Sequence, residues 1–190
     1  DEPNLSCKSA RELRKIHSQS LTLHQRTIGF LMTLRASLLR ELEKSNLSVD
    51  RRAELCCEAT RELENKGEYE DAQKVLRDFW PRIGEAPKLA GLEENTAAEL
   101  LLRAGVLTGI IGAYRPIPEA QAIAKDLITQ SHSIFESRGT QKKIAEAKTE
   151  LAFCHFRTHD VNEARACLKQ ALSLLTVDSE LKAKALLRLA

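Results

Sequence analysis

Apolar residues recur every three or four positions along most of this chain. Leu31, Leu34, Leu38 and Leu42 form one strict stripe, and Leu13, Ile16, Leu21, Leu23 and Ile28 precede it at mixed spacings. A period near 3.6 marks an amphipathic helix with one buried face. The pattern predicts one long helix, or two broken near Gly29, between about residues 10 and 45. Further helices are predicted over 51–66, 70–83, 94–112, 118–136, 140–157 and 162–175, and another opens at Ser179. Local punctuation agrees. Ser48 or Asp50 is suited to cap the helix that follows. Gly67 fits a left-handed helix end, and Pro118 fits a first helical position. The stretches 84–91 and 114–118 carry the Gly and Pro of loops.

Composition narrows the class. Leu and Ala together supply 52 residues and Val only 5. Helix formers so dominate strand formers that an all-α fold is expected and a sheet-based enzyme is not. The 29 Lys and Arg against 27 Asp and Glu leave a net charge of +2. With both signs interspersed, no nucleic-acid partner is indicated. The basic cluster Lys8, Arg11, Arg14 and Lys15 is interrupted by Glu12 and reads as a solvated helix face. The most apolar run, 104–113, is about half the ~20 residues that cross a bilayer, so no membrane association is expected. Five cysteines in helical patterns, an odd number at low density, read as reduced thiols in a cytoplasmic chain. The chain opens on Asp1 and stops inside a predicted helix, so it reads as part of a longer protein, with a trimmed export signal left open.

Self-comparison adds a repeat. Gly67-x-Tyr69-x-x-Ala72, followed by Leu76 and Phe79, matches His159-x-Val161-x-x-Ala164, followed by Leu168 and Ala171, at identical spacing. Upstream, Ala53, Ala59 and Thr60 align with Ala145, Leu151 and Ala152. A looser copy carries Ala98, Leu101, Ala104 and Gly105, and a fourth begins at Ala183. These blocks resemble the tetratricopeptide repeat, a helix–turn–helix of about 34 residues. The likeness covers roughly 51–190 and is carried by Gly67-Glu-Tyr69-Glu-Asp-Ala72 and Asp160-Val-Asn-Glu-Ala164. Copies spaced 45, 47 and 38 residues apart, without the family's early tryptophan, make it a divergent, long-helix variant.

The resemblance implies a right-handed α-solenoid of antiparallel helix pairs. Residues 1–48 would be an N-terminal extension or cap, and 49–190 about three pairs with the start of a fourth. It also implies a non-catalytic scaffold whose first helices line a concave surface that binds a protein or peptide, or another region of the same polypeptide. By that analogy Arg61, Asn65, Glu99, Leu102, Val106, Glu146, Thr149, Phe153, Phe156 and Arg157 line the groove. Of these, Arg61, Asn65, Glu99, Glu146 and Arg157 would fix register. The apolar members serve equally as packing against the adjacent helix. The alternative role is a sensory or regulatory segment of a larger bacterial signalling or transcription protein. The Leu31–Leu42 stripe and the last helix offer apolar surface to a second copy, so a homodimer stays open.

Candidate chemistry is sparse. His155 and His159 stand four apart beside Cys154, but no acidic base lies between them and His159 falls at a turn, so both read as structural. Gly105-x-x-x-Gly109-x-x-Gly112 lacks the strand before and the Lys-Ser/Thr after a phosphate loop, and reads as close helix packing. No catalytic residue, metal site or cofactor is expected.

Overall fold

The computed structural model describes residues 41–42 and 46–189. The chain divides into two units, Asp1–Ser45 and Asn46–Ala190. The helix predicted over 10–45, its leucine stripe, the basic cluster around Lys8, and Cys7 lie outside the described residues, apart from two helical positions at 41–42.

Seven helices follow: α1 Val49–Lys66, α2 Tyr69–Val75, α3 Glu94–Ile111, α4 Ala120–Ser137, α5 Gln141–Arg157, α6 Val161–Leu174 and α7 Glu180–Leu189. Neighbours in sequence pack as antiparallel pairs, and no strand occurs among the described residues. Helix backbones come close only to those one or two places away, although the long Arg61 side chain of α1 also reaches Glu146 of α5 at 3.6 Å. The first helices of the pairs meet in succession, α1 with α3, α3 with α5 and α5 with α7. The second helices α2, α4 and α6 do not meet one another.

Sequence-local chemistry sets the boundaries. The Ser48 side chain accepts the Arg51 backbone N–H at 3.1 Å and opens α1. Asp50, the other candidate cap, instead accepts the Glu93 N–H at 2.8 Å and ties the start of α1 to the start of α3. Gly67 ends α1 at φ 77, and its N–H reaches the Glu64 carbonyl. His159, at the matching place of the α5–α6 turn, takes φ 64. A bulky residue adopts that conformation at a cost that Gly67 avoids. Ala72 and Ala164, also matched, are both buried where the second helix meets the first, as are Leu76 and Leu168.

Two predicted boundaries move. The helix expected over 70–83 stops at Val75. Pro81 disfavours helical backbone at Trp80, and the fully buried Trp80 donates its indole N–H to the Glu85 carbonyl at 2.9 Å. Those contacts fold residues 80–93 back as a loop, held again by Lys88 N–H to the Phe79 carbonyl at 2.8 Å. Pro118 is not the first residue of α4, which begins at Ala120 behind Glu119 in a left-handed conformation of φ 54. The reason lies in packing: Ala120 presses on Gly112 so closely that a Cβ there would lie 2.2 Å from the Ala120 Cβ.

The core runs between the pairs. Leu102, Val106, Ala124, Ile128, Phe135 and Ile144 belong to one buried cluster joining α3, α4 and α5. Ala152, Ala164, Leu168 and Ala185 join α5, α6 and α7. Gly105 makes the α3–α4 contact close, since a Cβ on it would stand 2.6 Å from Ile128 Cγ1.

Candidate functional site

The shared face of the first helices carries most of the buried charge. Arg61 pairs with Glu99, while Glu64, one turn further along α1, pairs with Arg103, one turn further along α3. Both partners advance together, so α1 and α3 run parallel. From α5, Glu146 pairs with Arg103, and Lys143 reaches Glu99 at 2.5 Å and Glu146 at 3.2 Å. From α7, Lys184 and Arg188 hold Glu150 at 2.6 and 3.1 Å. Each helix supplies these groups at three- or four-residue spacing, which places them on one face. Together they form a bar of cross-helix ion pairs.

Burial sets the protonation states. The Arg103 side chain is 4% exposed. Burial disfavours its charge, but the carboxylates of Glu64, Glu146, Glu99 and Glu150 outweigh that and hold it protonated well above its ordinary pKa. Burial pushes the Glu64 carboxyl up to about 7, and Arg103 only partly offsets this because Glu150 and Glu146 repel its charge. The Glu64 Oε1 has no hydrogen-bond partner among the described residues. Glu146 shows the opposite outcome on the same arginine. Burial raises it too, but Arg103, Lys143 and Arg61 act together and bring it down to about 2. Glu150 is also lowered: burial opposes ionisation, and Arg188 and Lys184 overcome it.

Two cavities adjoin this bar. One, of about 330 Å³, is lined by Glu58, Arg61, Asn95, Glu99, Phe135 and Lys143 among others. The second, of about 230 Å³, has Arg61, Asn65, Arg103, Lys142, Glu146 and Lys184 in its wall. Arg61 and Lys143 belong to both walls. A third cavity of about 370 Å³ lies between α5, α6 and α7, where Phe153, Phe156, Val161, Leu168 and Leu187 give it an apolar wall. The Phe153 and Phe156 rings stack with centroids 6.4 Å apart. The guanidinium groups of Arg157 and Arg188 lie 4.0 and 4.4 Å from the Phe153 ring centre.

The residues expected to line the groove divide in two. Arg61, Asn65, Glu99 and Glu146 stand together at the bar and its cavities. Phe153, Phe156 and Arg157 stand together at the far end of α5, with Phe156 59% exposed. Leu102 and Val106 are buried in the cluster joining α3, α4 and α5, so they pack internally and offer no groove surface. Thr149 is fully buried and donates its hydroxyl to the Ala145 carbonyl at 2.8 Å.

Sequence reasoning missed Arg103, Glu64, Lys143, Glu150, Lys184 and Arg188. One signal was available: Arg103 is the only charged residue between Glu99 and Arg115, inside an otherwise apolar helix. A charge so placed needs partners.

His155 is buried with its Nδ1 3.2 Å from an Asp160 carboxylate oxygen. No group of three or more His, Cys, Asp or Glu among the described residues is arranged to hold a metal ion. Burial raises the thiols of Cys56 and Cys154 to about 11 and also raises Cys57, which disfavours the reactive thiolate. No described helix is long and apolar enough to cross a membrane. Set against known proteins, the chain matches no family model and no curated protein.

Proposed function

We propose that residues 49–189 are a right-handed solenoid of tetratricopeptide-like helix pairs, and that the protein binds a protein or peptide, without catalysis, on the face of its first helices. One observation carries this reading. The first helices contact one another in succession while the second helices do not. Stacking of that kind joins α1, α3, α5 and α7 into one continuous surface, the arrangement by which repeat arrays present partners with an extended site. Cavities that open beside the ion-pair bar give that surface relief.

The test starts from randomised 12-residue peptides displayed on phage and selected on the full chain. Backbone hydrogen exchange is then measured with and without an enriched peptide. New protection is expected in α1, α3, α5 and α7. Protection confined to α2, α4 and α6, or no enrichment over an unrelated immobilised protein, ends the reading. The Phe153→Ser/Phe156→Ser variant separates a peptide that uses the apolar end from one that uses the bar. It lowers affinity only in the first case, and both chains melt cooperatively.

A further inference from the structure

We propose that the Glu64–Arg103 contact is a proton-operated latch: it seats the α1–α2 pair on α3 while Glu64 carries a proton, and the pair lifts off as a unit once that proton has left.

Among the described helices, the backbones of α1 and α2 come close to each other and to α3. Side-chain links add to this. Asp50 accepts the Glu93 N–H, Arg61 reaches Glu99 and Glu146, Glu64 meets Arg103, and Glu70 takes Tyr114 and Arg115. Lifting the pair breaks these links and its packing on α3. It leaves the contacts of α3 with α4, α4 with α5 and α5 with α6 whole. Supersecondary units of this kind can open well below the cost of global unfolding.

Of these links, Glu64–Arg103 is the one enclosed on both sides, with the side chains 8% and 4% exposed. It is also incompletely satisfied. Arg103 is divided among Glu64, Glu99 and Glu146, and the Glu64 Oε1 has no hydrogen-bond partner among the described residues. The charges around Glu64 are mixed. α3 presents Arg103, with Glu99 on the same guanidinium; α5 presents Glu146 and Glu150; α7 presents Lys184, which Glu150 already holds. On α1 itself, Arg61 is turned to Glu99 and Glu146. On α2, Lys74 pairs with Asp71, and Glu70 with Arg115.

A neutral carboxyl tolerates such a place far better than a carboxylate does. Burial accordingly lifts the docked Glu64 to about 7, against an ordinary 4.5 once it is exposed. Its neighbours do not change charge in that interval. Glu146 is brought down to about 2, Glu150 is also lowered, and Arg103 stays protonated. Between 4.5 and 7 the docked pair therefore holds a proton that the lifted pair releases, so lifting becomes easier as pH rises. Because α1 brings Arg61 to both cavities beside the bar, lifting removes part of the wall of each.

Backbone hydrogen exchange of the full chain at pH 5, 6, 7 and 8, corrected for intrinsic rates, tests the latch. α1 and α2 should exchange together, at lower protection than α4 and α5. Their protection should fall steeply between pH 5 and 7 and level off above, by about 70-fold in all. Glu64→Gln should keep its protection at pH 8. Equal protection in the α1–α2 pair and in α4 and α5 overturns the latch, since α1 then opens only with the whole fold. A fall of the same size in Glu64→Gln overturns it as well, because another group then carries the proton. Should the Gln variant not fold, the wild-type profile decides alone: a bend near pH 7 in the α1–α2 amides supports the latch, and protection that stays flat from pH 5 to 8 overturns it.

Discussion

The α1–α3–α5 and α3–α4 contacts are built on opposite principles. Where the first helices meet, Arg103 is enclosed by Glu64, Glu99 and Glu146, and the helices are matched by charge. Where α3 meets α4, Gly105 and Gly112 remove side chains so that Ile128 and Ala120 come close to the backbone. A buried ion pair contributes little net stability, because desolvation offsets attraction, but it strongly penalises a wrong partner. Close packing contributes dispersion and excluded water, with no comparable directional constraint. The pairs are thus held together by shape, while the register between successive first helices is held by charge.

Removing the central cation should therefore have the largest effect. Arg103→Leu strips buried Glu64 of its ion-pair partner and leaves Glu99 and Glu146 with Arg61 and Lys143 alone, and should cost about 3–5 kcal/mol in urea unfolding. The second substitution sharpens the point. Arg103→Leu/Glu64→Leu orphans one carboxylate fewer and should lose less than the single variant. If the double variant loses as much as the two singles summed, the groups do not act as a unit, and register is not set here by charge.

Next comes pH. The Glu64 carboxyl titrates near 7 in the folded chain against an ordinary 4.5. Between those values the folded chain binds a proton that the unfolded chain releases. The contribution of Glu64 is thus fully favourable below about 4.5, and is lost as pH rises through 7. Glu146 runs the other way: its contribution is present above 4.5 and is lost as pH falls toward 2. Glu64→Gln keeps the contact with Arg103 without the charge. It should be more stable than wild type at pH 8, by an amount on the order of 2–3 kcal/mol, with the gap closing by pH 4.5. Urea midpoints at pH 4.5, 6 and 8 measure it. Parallel pH profiles for the two proteins would place the Glu64 charge outside the bar.

The close-packed contacts were legible in the sequence and the charged ones were not. Gly67, Ala72 and Ala164 announce themselves by type and spacing, because only small or flexible residues satisfy those positions. The bar joins residues about 40 apart, and its glutamates and lysines look like any solvated helix charge until the helices are stacked. The face of α3 was hidden for a related reason. Fourteen of its eighteen residues are buried, so its hydrophobic period could not say which side faces outward. The repeat analogy places Leu102 and Val106 on a groove wall, and nothing in that period separates such a position from the buried one they occupy. The loop after α2 was obscured because Trp80 finds its partner, the Glu85 carbonyl, only after the chain has turned at Pro81.

The smallest effects test how much of the α3–α4 contact is shape. Placing Ala at a helical glycine gains up to about 1 kcal/mol in helix propensity, so any loss measures crowding. At Gly112 the added carbon would stand 2.2 Å from the Ala120 Cβ, on a short side chain that cannot turn aside. Gly112→Ala should therefore cost about 1–3 kcal/mol, with no dependence on pH. At Gly109 the nearest atom is the tip of the Arg157 side chain at 3.1 Å, followed by the Ala124 Cβ at 3.3 Å. The arginine can swing away, and the alanine need move only a few tenths of an ångström. Gly109→Ala should then fall within about 1 kcal/mol of wild type, since propensity and crowding nearly cancel. Equal losses at the two glycines would mean that α4 adjusts as a rigid body rather than atom by atom. The contrast with the charged face would then lie in stiffness instead of in the kind of contact.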